Sequence, residues 1–264
     1  MFEIDGYIEG VNASGNSLAQ RLEYWIVSKE IIKANPVFGV GTGDVPTAFA
    51  MKYNETSSLL DKKQYAFTPY DELGAKNNVS LLDMPKENDW ILNSFAFDDS
   101  MMRDYISYEM ARKMGQYAAN LKYCEVVLNG DYIGLYALSE KIKRDGDRVD
   151  IAKLSDDENS FPEVTGGYLM QTDRPDAEDP EAWYNNGAGY IHEKPNSDDI
   201  TQIQSSYIES VFRDLDDNAT NSNVTSGYPS IIDVPSFVDY MLMAEIASNV
   251  DAYALSTYYH KDRG

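Results

Sequence analysis

The stretch YCEVVLNGDYIGLYALSEKIKRDGDRVDI, residues 123–151, predicts a β-hairpin that leads into a charged loop. Two apolar runs flank Asn129-Gly130, and both residues of this pair tolerate the positive φ angles that a two-residue hairpin turn requires. The second run ends at Glu140 and Lys141, where a carboxylate and an ammonium stand side by side. Such a strand end favours one wall of a ligand-binding site or, as the alternative, the start of a solvated charged loop.

The composition is that of a globular protein with a large negative charge. The chain has 264 residues, 43% hydrophobic and 25% charged, which suffices for one large domain or two small ones. Its 44 acidic and 22 basic residues give a net charge of −22, which disfavours nucleic acids and anionic membrane surfaces as partners. No apolar run approaches the length of a membrane span, and no signal-peptide pattern is visible.

The first 63 residues predict a helical segment of their own. One amphipathic helix is expected from Leu18 to Ala34, and a second is expected after the capping residue Asp44. Between them, FGVGTGD at 38–44 lacks the glycine spacing of a nucleotide-binding loop, so it predicts a tight connection between helices.

Downstream of residue 63, short strands and helices alternate, which predicts an α+β fold. Strands are expected at YAF, NVSLL (78–82), Trp90 to Leu92, the hairpin, GGYLMQTD (166–173) and STYYHKD near the end. The acidic run DRPDAEDPEAW and the NNGAG that follows predict long surface loops.

Three helices are predicted in this second part. The first is capped by one of the aspartates 98–99 and runs to about Ala118, with an inward methionine-rich stripe: Met102, Ile106, Met110 and Met114. The second begins at the aspartates 198–199 and turns four residues inward: Ile200, Ile203, Tyr207 and Val211. The polar sequence DDNATNSNVTSGYPS predicts a loop after it. Asp233 caps the last helix.

Two places combine residue types that could carry chemistry. One is the Glu140-Lys141 strand end. The other lies past the last helix, where Asn249 and Asp251 precede Ser256. An aspartate in a loop between a buried helix and a strand suits a general base, and an Asn or Ser five residues later can hold a metal ion, as in phosphoryl-transfer loops. The chain's two histidines lack the spacing of a zinc site or a serine-hydrolase base.

Four stretches after residue 63 carry a family resemblance. They are NNVSLLDMPKENDWILNSFAFDDSMMRDYISYEMARKMG, VVLNGDYIGLYALSEKIKRDGDRVDI, GGYLMQTDR and SFVDYMLMAEIASNVDAYALSTYYHKDR. In order and length they resemble the spore coat protein H (CotH) kinase-like family over residues 64–264. The resemblance implies an atypical protein-kinase-like α+β fold, a secreted or cell-surface location, the use of ATP and Mg²⁺, and phosphorylation of Ser or Thr on secreted partner proteins.

The same resemblance implies roles for individual residues. Asp251 would be the catalytic base, and Glu140 and Lys141 would lie in the nucleotide site. Arg103 would be a structural or phosphate-facing position beside them. Ser256 stands near the place where some members carry a metal-binding asparagine. Ser256 and Asn249, in the loop after the last helix, would therefore bind the metal.

The two ends of the chain depart from this family. Residues 17–62, with RLEYWIVSKEIIKANPVFGVGTGDVPTAFAMKY, resemble a periplasmic loop of the O-antigen ligase and polymerase family, whose membrane spans are absent, so no ligase activity is implied. They stand where CotH-like members have a phosphate-covering loop. Members also continue to a strand with a metal-binding aspartate, whereas this chain stops at Gly264. A domain 64–264 that is incomplete at both ends is expected to be inactive.

Three function classes therefore compete. The first is an ATP-dependent protein kinase domain. The second is a non-catalytic pseudokinase or cell-surface scaffold that binds a protein or glycan partner. The third is a hydrolase that uses a pair of carboxylates, which no spacing in the sequence supports.

Overall fold

The computed structural model describes residues 62–96, 98, 100–175, 179, 182–185, 187–220, 225–249 and 251–263. The predictions for the first 61 residues, including two helices and the FGVGTGD turn, lie outside them. The chain divides into two compact units. The first comprises Met1–Met110, Ala118–Lys141 and Ile246–Val250, and the second Ala111–Tyr117, Ile142–Glu245 and Asp251–Gly264.

The first unit contains a four-stranded antiparallel sheet in the order β1-β2-β4-β3. Its strands are β1 (Tyr65–Phe67), β2 (Trp90–Asn93), β3 (Leu121–Leu128) and β4 (Asp131–Glu140). β3 and β4 form the predicted hairpin, since Asn129 and Gly130 take φ angles of 52° and 92°. β4 is the longest strand and pairs on both sides, so its last residue has a fixed position.

One stretch of the first unit differs from its prediction. NVSLL at 78–82 forms no strand and contributes a single bridge, from Val79 to Glu87. Leu82 and Asp83 have φ angles of 50° and 61°, so the backbone turns at these residues. The predicted strands at YAF and around Trp90 are confirmed.

The first helix, α1 (Arg103–Lys113), packs by a different face from the one predicted. Tyr105 and Tyr108 lie against Phe95 and its neighbours in the sheet, and Asp104 is buried beside them. The methionine-rich stripe is exposed instead, at three of its four positions: Met102, Ile106 and Met114. The core prediction for this stripe was wrong because the helix packs its partly buried tyrosines against the core instead.

The helix α1 ends before Ala118. Gly115 has a φ angle of 88°, its N–H bonds to the carbonyl of Arg112, and the N–H of Gln116 bonds to the carbonyl of Ala111. This pair of bonds is the Schellman arrangement, which stops a helix at a left-handed glycine.

The second unit contains another four-stranded antiparallel sheet, in the order β6-β7-β5-β8. Its strands are β5 (Tyr168–Asp173), β6 (Trp183–Asn185), β7 (Ala188–Lys194) and β8 (Thr257–Lys261). Strands β5 and β8 are confirmed predictions. The NNGAG sequence was wrongly assigned to a surface loop, because Asn185 pairs with Ala188 and Gly187 turns at a φ angle of 86°. Buried Trp183 holds this hairpin on the core around Tyr168.

Two further helices, α2 (Gln202–Thr220) and α3 (Val234–Ala247), belong to the later part of the chain. α2 begins at a capping box: Thr201 accepts the N–H of Gln204, whose side chain accepts the N–H of Thr201. The predicted start at 198–199 was therefore too early. DDNAT is helical rather than a loop, Ile203 is exposed, and Ile208 is buried instead.

The last helix agrees with its prediction. α3 follows Asp233 and ends at Ala247, and Ser248 then takes a left-handed φ of 52°. The sheets and helices together confirm a mixed α+β class. Within the described ranges, no helix has both the length and the apolar character needed to cross a bilayer.

Candidate functional site

Glu140 is the last residue of β4 and is almost fully buried, with 1% of its surface exposed. It pairs in register with Trp90 of β2, which is also buried. Its Oε1 accepts two hydrogen bonds from Asn120, from the backbone N–H and from the side-chain amide, both at 3.1 Å. A buried carboxylate is costly unless such donors replace its lost hydration. The structure therefore makes Glu140 an oriented carboxylate and not part of a solvated loop.

Lys141 follows Glu140 and faces solvent. Its backbone N–H donates to the carbonyl of Asp89 at 3.4 Å, which extends the pairing of β4 with β2 by one residue. At this strand end, two neighbouring side chains therefore lie in different environments. The carboxylate of Glu140 is buried, and the ammonium of Lys141 is placed where an anionic ligand could reach it.

The charged loop after Lys141 is solvated only in part. Asp145 and Asp147 are exposed, as the solvated-loop alternative predicts. Arg148 is buried, and its guanidinium lies 3.4 Å from the carboxylate of Asp145. The solvated-loop alternative is therefore correct for these two aspartates but not for Arg148, and the ligand-binding wall stays a prediction.

Arg103 is the first residue of α1 and is exposed. Its Nε lies 3.4 Å from Oδ1 of the buried Asp98, whose Oδ2 accepts the backbone N–H of Arg103 at 2.9 Å. Asp98 also accepts the N–H and the hydroxyl of Ser100. Asp98 consequently fixes the start of the helix, as predicted for the aspartates 98–99, and orients Arg103 at the surface.

Asp104 is a buried carboxyl group beside Arg103 that the sequence did not single out. Burial raises its pKa to about 7; the hydrogen bond from the side-chain amide of Asn93 opposes this, and the nearby charge of Asp98 adds to it. The amide nitrogen of Asn93 lies 2.9 Å from Oδ2 of Asp104. Strongly shifted carboxyl groups are enriched at functional sites, though structural networks produce them as well.

Asp251 lies in the second unit, just past α3, and has 5% of its surface exposed. Its backbone carbonyl accepts the N–H groups of Ala254 and Leu255, at 3.2 and 2.9 Å, which closes a turn directly after it. Tyr253 within this turn has a φ angle of 72°, which is unfavourable for a bulky residue. Such outliers cluster at active sites and ligand clamps, where the surrounding structure compensates for the strain.

Ser256 ends this turn at a φ angle of 49°. Its N–H and its hydroxyl both donate to Oδ2 of Asp173, at 3.2 and 3.0 Å. The same oxygen accepts the side-chain amide of Gln171 at 2.8 Å. A serine hydroxyl that donates its proton keeps its oxygen lone pairs, so Ser256 can still act as an oxygen ligand.

The predicted site residues are divided between the two units. Glu140, Lys141 and Arg103 belong to the first unit, as does Asn249, which is half-buried. Asp251 and Ser256 belong to the second. Sequence reasoning missed Asp173, although it stands at the end of the GGYLMQTD strand, because nothing local links it to a partner 83 residues away.

The predicted metal-binding residues are judged by the ligand chemistry of magnesium. The described parts of the chain contain no group of three or more His, Cys, Asp or Glu side chains that could hold a metal ion. Mg²⁺ is commonly bound through one or two carboxylates together with substrate phosphates, and it does not require a cage made only of protein. The hydroxyl of Ser256 and the side-chain amide oxygen of Asn249, the two residues predicted to bind the metal, are oxygen donors of the kind that this mode of binding uses.

Comparison with known proteins identifies the family. Residues 51–264 match the family described as CotH kinase protein. No curated protein and no solved structure matches the chain. The match includes the β3–β4 hairpin with Glu140, the start of α1 with Arg103 and the turn that carries Asp251, and it covers most of the chain. The chain therefore belongs to the CotH kinase protein family.

Proposed function

We propose that this protein is an ATP- and Mg²⁺-dependent protein kinase of the CotH type that transfers phosphate to Ser or Thr of a secreted or cell-surface protein. The observation that carries the proposal is the family match over residues 51–264, which contains every residue assigned a role. The kinase family implies a nucleotide and a divalent metal in general. An atypical protein-kinase-like fold belongs to the same proposal.

Asp251 is the proposed catalytic base. A base must be held in one orientation next to the acceptor hydroxyl, and the turn closed by the N–H groups of Ala254 and Leu255 restrains the backbone of Asp251. Removal of the acceptor proton makes the hydroxyl oxygen a better nucleophile toward the γ-phosphate. Ser256 and Asn249 are the proposed oxygen ligands of the metal from the protein. The metal, when bound, would neutralise charge on the phosphates.

Glu140, Lys141 and Arg103 are the proposed nucleotide-binding residues. Lys141 and Arg103 are exposed cations, and cations stabilise phosphate oxygens by direct hydrogen bonds. The buried Glu140 is held by Asn120 and would orient a donor group of the nucleotide or of a neighbouring cation. These roles are assigned residue by residue, from the surroundings of each side chain within its own unit.

Nucleotide binding is the first test. ATP with Mg²⁺ should raise the melting temperature of the purified protein, since a ligand at 100 times its Kd stabilises the folded state by about 2.7 kcal/mol. Phosphate transfer from labelled ATP to a Ser- and Thr-containing acceptor then decides between an active kinase and the inactive domain expected from the sequence. No stabilisation at saturating ATP and Mg²⁺ would contradict the kinase proposal.

A non-catalytic scaffold is the second candidate, and one feature of α3 favours it. Val238, Met241 and Leu242 are exposed apolar residues at helical spacing. Exposed apolar side chains grouped in this way are typical of surfaces that bind other proteins. A scaffold would bind a protein partner while showing neither nucleotide stabilisation nor transfer, so the same assay separates the two functions.

A further inference from the structure

The turn that carries Asp251 is held in place by two side chains from outside it. Tyr253 and Ser256 have left-handed φ angles of 72° and 49°. Residues with such φ angles are strained, so the turn needs contacts that compensate. Tyr240 of α3 supplies one of them: its hydroxyl lies 2.8 Å from Oγ1 of Thr257 and 3.4 Å from the backbone N–H of Tyr253, which donates to it.

Asp173 supplies the stronger contact. Strands β5 and β8 pair up to Thr172 and Thr257, so Asp173 and Ser256 would form the next pair of the ladder. Ser256 leaves the ladder at its positive φ, and the carboxylate of Asp173 takes over by accepting both its N–H and its hydroxyl. Hydrogen bonds to an ionised acceptor are about twice as strong as those between neutral groups.

We infer that Asp173 is a positioning residue for phosphoryl transfer: its carboxylate holds the Ser256 end of the turn, and thereby orients Asp251. This inference rests on the proposed function, since it assigns Asp173 a role through the proposed base. Two consequences distinguish it from a purely structural role. The catalytic rate should change more than nucleotide affinity, and the loss of order should be confined to residues 251–256.

The Asp173→Ala variant tests the inference in the purified protein. It should lower kcat by about 100-fold, the scale expected when a catalytic group is misplaced by about 1 Å, with KM for ATP nearly unchanged. Amide hydrogen exchange of Leu255 and Ser256 should become faster, while amides of strands β5 and β7 keep their wild-type protection. Asp173→Asn keeps the side-chain shape and one acceptor oxygen, so its kcat and its exchange rates should lie between those of the wild type and of Asp173→Ala.

Two matched variants complete the experiment. Ser256→Ala removes the hydroxyl but keeps the N–H donor to Asp173, so the exchange of Leu255 and Ser256 should rise less than in Asp173→Ala. Because Ser256 is also a proposed metal ligand, this comparison uses hydrogen exchange and not kcat. Asp157→Asn removes an exposed carboxylate of the same unit and should leave kcat and exchange unchanged. Wild-type kcat in Asp173→Ala would overturn the inference, and so would faster exchange throughout the unit.

The failure of the proposed function would look different. If the wild-type protein transfers no phosphate, the proposed kinase function and the catalytic role of Asp173 both fall. Hydrogen exchange still reports on the contact itself in that case. If exchange in Asp173→Ala is faster only at residues 251–256, Asp173 holds the turn for a purpose other than phosphate transfer. If the wild-type protein is active and Asp173→Ala has the same kcat, the inference alone is overturned.

Discussion

The strand end at Glu140 and the turn at Asp251 are built in opposite ways. Glu140 stands at the end of a ten-residue strand that pairs on both sides, and its carboxylate is held by the neighbouring Asn120. Asp251 stands in irregular backbone with left-handed residues, closed by Tyr240 and Asp173, which are distant in the sequence. Regular backbone pairing holds the strand end, so the loss of a side-chain contact there should lower stability without displacing Glu140. The shape of the turn depends on its side-chain contacts, so their loss should change the position of Asp251.

Asp251→Asn should produce the largest effect. The substitution keeps the shape of the side chain but removes the oxygen that accepts a proton, and loss of a general base lowers rates by about 10²–10⁴-fold. Transfer from labelled ATP measures this, and the stabilisation by ATP with Mg²⁺ should persist. Transfer at the wild-type rate would remove Asp251 from the catalytic role and leave the turn without its proposed purpose.

Glu140→Ala should mainly lower stability. The change leaves two partly buried donors of Asn120 without their acceptor, and the loss of a hydrogen-bond partner costs up to about 1–3 kcal/mol for a fully buried group. The free energy of unfolding from urea titration measures the loss. Glu140→Gln is the matched control, because its amide oxygen can still accept both bonds. Equal losses in the two variants would show that the negative charge, and not the hydrogen bonds, holds this strand end.

Asp104→Asn tests the other buried carboxyl group of the first unit through pH. The folded-state pKa of Asp104 is raised to about 7 from 3.8, so the folded protein binds more protons between these values. Stability from this group is therefore present at low pH and is lost as the pH rises through that window, by about 1.4 kcal/mol per pH unit. The neutral variant should lack this dependence.

Urea titrations of wild type and Asp104→Asn should be compared between pH 4.5 and pH 6.5, about the middle of this window. The difference between the two free energies of unfolding reports on Asp104 alone, because the other acids are common to both proteins. The variant should gain stability relative to wild type as the pH rises. If the free energies of unfolding of the two proteins change in parallel with pH, Asp104 is already ionised at about pH 4.5 and burial does not shift its pKa.

The two regions also differ in how far the sequence predicts them. The Asn129-Gly130 turn and the strands beside it follow from local rules, because the residues that need positive φ are the ones that tolerate it best. The Asp251 turn places tyrosine and serine at positive φ and relies on Asp173, so no local pattern indicates its shape. Only the position of the turn after α3 was predictable.

The errors elsewhere have the same physical origin. The methionine stripe has helical spacing, but Tyr105 and Tyr108 pack against the core instead and are partly buried. Spacing alone does not rank two competing faces of a helix. The capping box of Thr201 and Gln204 was a readable local signal that was missed, because nearby aspartates are also good caps. The Asn-Gly pair at 186–187 was not recognised as a hairpin signal because the acidic run before it is typical of a surface loop. The same pair of residues predicted the first hairpin.

The left-handed glycines of the two hairpins give the smallest and most direct test. Gly130 and Gly187 have φ angles of 92° and 86°, and a Cβ built on either would meet no atom within 4 Å. Alanine at either position should therefore cost only the backbone penalty of the left-handed region, about 1–2 kcal/mol. Gly146, which has no positive φ and equally open space, is the matched control and should tolerate alanine. Urea titration of the three variants decides whether both hairpins are fixed by their turns. A neutral Gly187→Ala would mean that packing of Trp183, and not the turn, determines the second hairpin, and the local rule would then hold only for the first.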